Sequence, residues 1–553
     1  MKLKVLEIEN FKGIKDSVRI ILDDIVILIG PNNCCKSTVL DAYEAYYSLG
    51  ESLSTDFFNK DASSPISVTG IFADLSENDI EAIGKEWFIE GDPAYGDCAK
   101  FRIIWTEADA KGEKYSFSNK TNDWKKGGAG GWDSILKSRL PVPLRINAFE
   151  TTEKLETILK DLIAKQVASA IKQDKSKILS IVEKIRELGK EIEKEIESDL
   201  SQINNSLLDS LKKSFPDVEV YFDTNVGKFE PEKSIRDGSN FIFTTNNMQA
   251  PLRNQGSGLQ RSFLWAAIKA YSDKGLLKRK QTSIDAEQPK ILLIDEPETN
   301  LHPGVIRSAR DALYSLAQIS GWQIICTTHS PIFIDLSKDH TTIIKVSNEI
   351  ANIKYFQTDE VNFSDDEREN LKMINHCNPH VNEFFFFEAS LLVEGETEET
   401  TFKYLLEKHS LSTTFAVINC KGKANIPTFI KIISKFKTKG IAFHDADDKY
   451  IAGKKKNPMW TINKSILEEC LASNKAVFPV VFIKNFEDYF FSEQITKNKP
   501  YNAYKHLTTN DFETNDRYSI IRDFIPNLQK GDFPTKYFDA PSFKTLLGEE
   551  LSY

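Results

Sequence analysis

The sequence predicts an α/β protein with an inserted helical segment and a second, smaller α/β domain at its C-terminal end. Three observations carry that prediction. First, apolar runs rich in β-branched residues stop abruptly at polar ones in "DIVILIG" (24–30), "KILLIDEPE" (290–298) and "WQIICTTHS" (322–330), as buried strands do when they feed loops. Second, "ILSIVEKIRELGKEIEKEIESDLSQINNSLLDSL" (178–211) repeats apolar residues at steps of three or four, with charges between them. Third, strand and helix patterns alternate again from about residue 385, in "SLLVEGETEETTFKYLLEKH" (390–409) and "GIAFHDADD" (440–448).

Each element follows in order. "MKLKVLEIENF" alternates apolar and polar residues and reads as a strand, not a signal peptide. "DIVILIG" is a buried strand entering a loop, and "KSTVLDAYEAYYSL" has helical spacing. Residues 65–150 are strand-like and loop-rich, with a flexible turn at "KKGGAGGW" (125–132). The periodic segment between 151 and 216 is an amphipathic or coiled-coil helix, packed on its own domain or serving as a dimerisation arm; Gly189 interrupts it and Pro216 ends it. Strands return over 217–345, residues 346–384 form a connector, and 385–553 form the last domain.

Composition bounds the function. A chain of 553 residues supports two to four domains, and 41% hydrophobic with 27% charged residues is ordinary for a soluble protein. No apolar run reaches the ~18 residues of a membrane span. Seven cysteines without a C-x-x-C pair argue against a disulfide framework or structural zinc and suit a reducing cytoplasm. A net charge of −10 excludes indiscriminate coating of nucleic acid. Local basic runs, "LLKRK" (276–280) and "GKKK" (453–456), remain candidates for DNA contact, or plain solvated loops.

The stretch "GPNNCCKST" (30–38) follows the phosphate-loop pattern G-x-x-x-x-G-K-[ST], except that Cys35 stands where the second glycine belongs. Gly30 and Asn33 shape the cradle, Lys36 would reach the β- and γ-phosphates, Ser37 would ligate Mg²⁺, and Thr38 would touch the α-phosphate. Glycine at position 35 would let the backbone approach the phosphates, so the cysteine is expected to obstruct or strain the loop. The expected result is retained ATP binding with slow turnover. Four further features occur in order: "ILLIDE" (291–296), where Asp295 would support Mg²⁺ and Glu296 would orient the attacking water; "PETNLHP" (297–303); "TTHS" (327–330), where His329 could sense the γ-phosphate; and "NQGSGLQRS" (254–262), a glycine-rich turn opening a helix. Together these residues resemble the ABC/SMC-type ATPases. That resemblance implies that Ser257 and Gly258 are the centre of a signature motif contacting the γ-phosphate held by a partner subunit, so that ATP closes a dimer.

A second group of acids ends two strands in the last domain. Glu394 and Glu398 lie in "LLVEGETEE" (391–399), and Asp445 and Asp447 in "IAFHDADD" (441–448). In an extended segment residues two apart point the same way, so both aspartates can face one cation, and clustered carboxylates suit Mg²⁺ or Mn²⁺. Two such metals can stabilise both the attacking and the leaving oxygen of a phosphodiester. The pattern resembles the Toprim domain, and Glu398 matches its nuclease branch. That branch implies a later acid, assigned to Glu487 with Asp488 as its neighbour, and a basic residue, assigned to Lys499 with Lys505 in reserve. Asp448 and Glu399 are read as bystanders.

An ABC-type ATPase followed by a nuclease-type Toprim domain resembles the OLD (overcoming lysogenization defect) family, which includes the nuclease subunit of the Gabija anti-phage system. The resemblance covers nearly the whole chain. It implies homodimers or tetramers, metal-dependent cleavage of double-stranded DNA, nucleotide control of that cleavage, and a role beside another defence protein. Two alternatives stay open: a DNA-binding ATPase of the SMC/repair class with an inert Toprim domain, and a Toprim nuclease acting on RNA or tRNA.

Overall fold

The computed structural model describes residues 1–128, 131–132, 136–147, 240–245, 248–273, 288–335, 341–349, 352–356, 379–436, 438–451, 455–474, 476–482, 485–493 and 495–529, with isolated positions between 156 and 238 and between 364 and 373. Most of the periodic 151–214 segment and the run 276–280 lie outside the described residues. The chain divides into two compact units, one of Met1–Ala148, Lys278–Thr299 and Ile306–Tyr553, the other of Phe149–Leu277 and Asn300–Val305.

The N-terminal region supplies β1 (Lys2–Glu9), β2 (Val18–Ile21), β3 (Ile25–Ile29), β4 (Ile66–Ala73), β5 (Ile89–Asp92), β6 (Gly96–Trp105), β7 (Glu113–Ser118), β8 (Asp123–Lys126) and β9 (Val142–Ile146). A short hairpin, β10 (Ile242–Thr245) with β11 (Met248–Pro251), belongs to the second unit. Then come β12 (Lys290–Asp295), β13 (Trp322–Thr327), β14 (Thr341–Glu349) and β15 (Asn352–Phe356). The last region holds β16 (Ala389–Val393), β17 (Phe415–Asn419), β18 (Lys439–Asp445), the small pair β19 (Tyr450–Ile451) and β20 (Lys455–Lys456), and β21 (Val477–Phe482).

Two sheets share the first core. One is antiparallel, ordered β2-β1-β4-β6-β7-β8, with β5 paired to β6. The other is ordered β15-β14-β3-β13-β12-β9 and is parallel from β14 to β9. All five residues of β3, "IVILI", are buried, as a central parallel strand requires. Residues 352–356, inside the expected connector, form the antiparallel edge of that sheet. The amphipathic face of β1 and the apolar face of helix Lys36–Ser48 meet in one core around Leu6, Ile8, Tyr43 and Tyr46. Each such side chain contributes roughly 1.5–3 kcal/mol on burial.

The C-terminal domain is a four-stranded parallel sheet, β17-β16-β18-β21. Helices Glu396–Lys408, Ile426–Lys435 and Pro458–Ala472 follow strands of it. Its core is aromatic: Phe402 stacks on Phe443 at 4.5 Å, and Phe482, Phe486 and Phe490 pack around them. In both parallel sheets the motif residues sit at the carboxyl ends of the strands, where open α/β sheets form their clefts.

Candidate functional sites

Strand β3 delivers Gly30 to the first site. Gly30 has φ 145°, and a Cβ there would lie 2.2 Å from the Val346 carbonyl oxygen, so only glycine fits. The loop then turns through two left-handed residues, Asn33 (φ 60°) and Cys35 (φ 66°), before helix Lys36–Ser48 begins with no side-chain cap. A helix start of this kind favours an anion through its N–H groups and dipole. Lys36 is buried and its Nζ donates to the carbonyls of Gly30 (3.1 Å) and Pro31 (2.7 Å). Burial lowers its pKa. Thr38 is buried on the same helix turn.

Cys35 keeps the backbone form of the glycine it replaces. Its sulfur is turned toward Gly13, where an added Cβ would come within 2.1 Å of Sγ. The expected obstruction is therefore taken up by a gap at Gly13. Burial raises the pKa of both Cys34 and Cys35, so neither is an activated thiolate.

The acid pair after β12 faces this loop. Ser37 Oγ donates to Asp295 Oδ1 at 2.9 Å, and the Thr327 hydroxyl donates to the same oxygen. Glu296 has φ 47°, and its Oε1 stands 3.7 Å from His329 Nε2. Burial, then the charge of Lys36, lowers the His329 pKa, which leaves the ring neutral at pH 7. Two residues missed in the sequence complete the arrangement. Glu298 accepts from the His329 N–H (2.7 Å) and the Thr328 hydroxyl (2.9 Å), which fixes the His329 backbone. Arg145, at the end of β9, stands 3.5 Å from Asp295 Oδ2 and 3.3 Å from Asp41 Oδ1. A lone arginine in "PVPLRIN" carries no local signal, whereas Glu298 lies within the "PETNLHP" motif itself.

Ser257 and Gly258 open helix Ser257–Asp273 in the second unit, as the glycine-rich turn predicts. There Gln260 Nε2 donates to the Gln255 carbonyl at 2.6 Å and to that of Leu252 at 3.2 Å, closing the turn. A Cβ on Gly258 would sit 3.2 Å from the Asn300 carbonyl oxygen.

The second site lies at the carboxyl edge of the C-terminal sheet. Glu394 follows β16, and its Oε1 accepts from the Asp445 N–H at 2.8 Å, joining the two acidic motifs. Burial is the main cause that pushes Glu394 to about 7 and Asp445 to about 8. The charges of Glu394, Glu398, Glu487 and Asp447 push Asp445 further. Burial, then Glu487, also raises Glu398. Glu487 is buried on helix Phe486–Phe491, whose N-cap Asn485 accepts from the Asp488 N–H at 2.8 Å. Lys499 Nζ lies 2.9 Å from Glu487 Oε1, whereas Lys505 is exposed on the same helix as Lys499. Glu399 is held by Lys403 (2.8 Å) and Asn419 (2.7 Å), and Asp448 is exposed.

The D-x-D does not lie in extended backbone. β18 ends at Asp445, and Asp447 is left-handed at φ 62°. The reason is a residue the sequence did not single out, Lys423, which is 3% exposed. Its Nζ donates to the Asp445 carbonyl and lies 2.7 Å from Asp447 Oδ2, bending the chain after the strand. Among the described residues no three His, Cys, Asp or Glu side chains converge on one ligating point. The residues nonetheless fit a hard cation. Asp445 Oδ1 is buried without a hydrogen-bond partner, a deficit of about 1–3 kcal/mol that a cation would relieve, and the donors are all carboxylates.

Comparison with known proteins places a family domain over each of the two regions. Residues 1–127 and 134–334 match the family described as AAA ATPase domain, and residues 385–447 match the overcoming lysogenization defect protein-like TOPRIM domain. Old nuclease of Escherichia phage P2 is 25% identical over 473 residues, 81% of this chain and 77% of the relative. OLD nuclease of Thermus scotoductus is 22% identical over 472 residues, 80% of this chain and 82% of the relative. Endonuclease GajA of Bacillus cereus is 28% identical over 243 residues, 39% of this chain and 34% of the relative. An AAA ATPase domain and a TOPRIM domain imply use of a nucleotide and of a divalent metal. Among the described residues no helix is long and apolar enough to cross a membrane.

Proposed function

We propose that this chain, which belongs to the family described as AAA ATPase domain and carries an OLD-like TOPRIM domain after it, is a nucleotide-regulated, divalent-metal-dependent DNA endonuclease serving anti-phage defence. The observation that carries the reading is the joining of Glu394 to the D-x-D motif at one sheet edge, with Asp445 under the charge of every other acid of the group.

Glu394, Glu398, Asp445, Asp447 and Glu487 would hold Mg²⁺ or Mn²⁺, which when bound would polarise the phosphodiester and lower the pKa of an attacking water. The chain's own groups do the rest. Glu394 and Asp445 must shed their protons before they can ligate. The Lys499 ammonium, set on Glu487, offers positive charge where the phosphodiester becomes more negative. At the other site Lys36, Ser37, Thr38 and Asp295 would hold Mg·ATP. Glu296 would orient water beside the neutral His329 ring, and Ser257 and Gly258 would close on the nucleotide of a second copy. The uncapped helix start and the preserved loop form support binding, and slow turnover remains the reading for Cys35.

Purified protein incubated with supercoiled plasmid and with RNA, each with Mg²⁺ or Mn²⁺ and with or without ATP, tests this directly. Metal-dependent nicking or linearisation of the plasmid is expected, absent in Glu394→Ala and Asp445→Ala. Cleavage of RNA alone would move the substrate class. No cleavage under any condition would leave only a DNA-binding ATPase.

A further inference from the structure

We propose that Lys423 is a positioning residue of the nuclease centre, a built-in counter-ion that shapes the D-x-D turn and competes for Asp447. This deepens the endonuclease reading and rests on it. Lys423 follows "INCKG" (418–422), after the end of β17, and its side chain crosses to the neighbouring motif. Its ammonium donates to the Asp445 carbonyl, reaches the Ala446 carbonyl at 3.5 Å, and pairs with Asp447 Oδ2 at 2.7 Å. An ammonium has three donors, and these three acceptors use them.

The backbone beside it is fixed from the other direction. Gly422 is at φ 119°, a conformation that favours glycine, and its N–H donates to the Glu394 carbonyl at 2.9 Å. Asn425 Nδ2 ties the same loop to the Cys420 carbonyl at 2.9 Å. One short segment therefore touches the Glu394 motif through its backbone and the D-x-D motif through its side chain. Asn463 Nδ2 adds a donor to the Ala446 carbonyl at 2.7 Å, yet it brings no charge. Lys423 supplies both the bend and a buried positive charge against a group of acids.

Those two effects have opposite consequences for a divalent ion, and this separates the proposal from a scaffold role. Removing the ammonium makes the site more negative and frees Asp447, which tightens the ion. Removing the bend misplaces Asp447, and a misplacement of about 1 Å costs on the order of 100-fold in rate. A residue that merely supports the loop would lose ion binding and rate together.

The test uses the full-length protein with Lys423→Met and Lys423→Arg. Mn²⁺ binding is measured by calorimetry, plasmid cleavage at saturating Mn²⁺, and nucleotide binding reports on folding. Lys423→Met should bind Mn²⁺ about 3- to 10-fold more tightly and cleave roughly 10- to 100-fold more slowly, while Lys423→Arg recovers most of the rate. Unchanged Mn²⁺ affinity and rate, or weaker Mn²⁺ binding with a slower rate, would overturn the proposal. If the wild-type protein binds Mn²⁺ and cuts nothing, the endonuclease reading falls, and the Mn²⁺ shift in Lys423→Met still decides the role of the lysine.

Discussion

Cys35 carries the backbone of a glycine and the side chain of a packed thiol. A non-glycine residue in the left-handed region costs about 1–2 kcal/mol, and here the sulfur is admitted only because residue 13 has no Cβ. Gly13 and Cys35 are therefore a matched pair. Gly13→Ala alone should destabilise the protein by about 1–3 kcal/mol through overpacking and weaken nucleotide binding. In a Cys35→Gly background the same change should be nearly silent. A thermal-melt and ATP-binding cycle over the four variants measures the coupling, and additive effects would remove the pairing. The sequence shows that a glycine is missing at 35; it does not show that "NFKGIKD" supplies the compensating gap. Lys423 and Arg145 were illegible for the same reason, whereas Glu298 at least lay within a motif the sequence marks. Each is a single polar residue whose partner comes from a distant segment, and only the folded sheet brings them together.

At the scale of elements, β14 reaches both the nucleotide loop and the C-terminal region. The Val346 carbonyl closes on Gly30, while Lys345 Nζ donates to the Phe387 carbonyl (3.1 Å) and the Thr438 hydroxyl (2.8 Å) of the C-terminal region. Asn382 likewise donates from Pro379–Phe386 to the Ile334 carbonyl at 2.9 Å, five residues after His329. Neighbouring residues of one strand thus contact the nucleotide loop and the domain that carries the acids. Burial lowers Lys345 to about 8, offset in part by Glu388. The folded chain then gives up this proton at lower pH than the unfolded chain does. Between about 8 and the ordinary lysine value of about 10.4 the unfolded chain binds more protons, so this group makes stability rise with pH across that window, and its burial penalty is fully present below it. Melting curves of wild type and Lys345→Met between those limits should converge or cross as pH rises, the wild type gaining relative to the variant. A constant difference would contradict the assignment. The strands themselves were legible because "DIVILIG", "ILLIDE" and "QIICTT" are buried on both faces. The pairing of β15 onto that sheet was not, since an antiparallel edge is decided by what lies beside it.

At the scale of the whole molecule, two parallel sheets place two chemistries at their carboxyl edges. One gathers Gly30, Lys36, Ser37, Asp295 and His329; the other gathers Glu394, Asp445, Asp447 and Glu487. The acid motifs were readable as strand ends, although the geometry of the D-x-D was not, because Lys423 bends it. The central claim is a division of labour: the acids cut, and the nucleotide loop controls. Plasmid cleavage measured side by side for Asp445→Asn and Lys36→Ala, with and without ATP, tests it most directly. Asp445→Asn should bind ATP as the wild type does and lose cleavage by on the order of 100-fold or more. Lys36→Ala should lose ATP binding, keep metal-dependent cleavage, and no longer respond to ATP. Cleavage surviving in Asp445→Asn, or abolished in Lys36→Ala without any nucleotide present, would contradict the account.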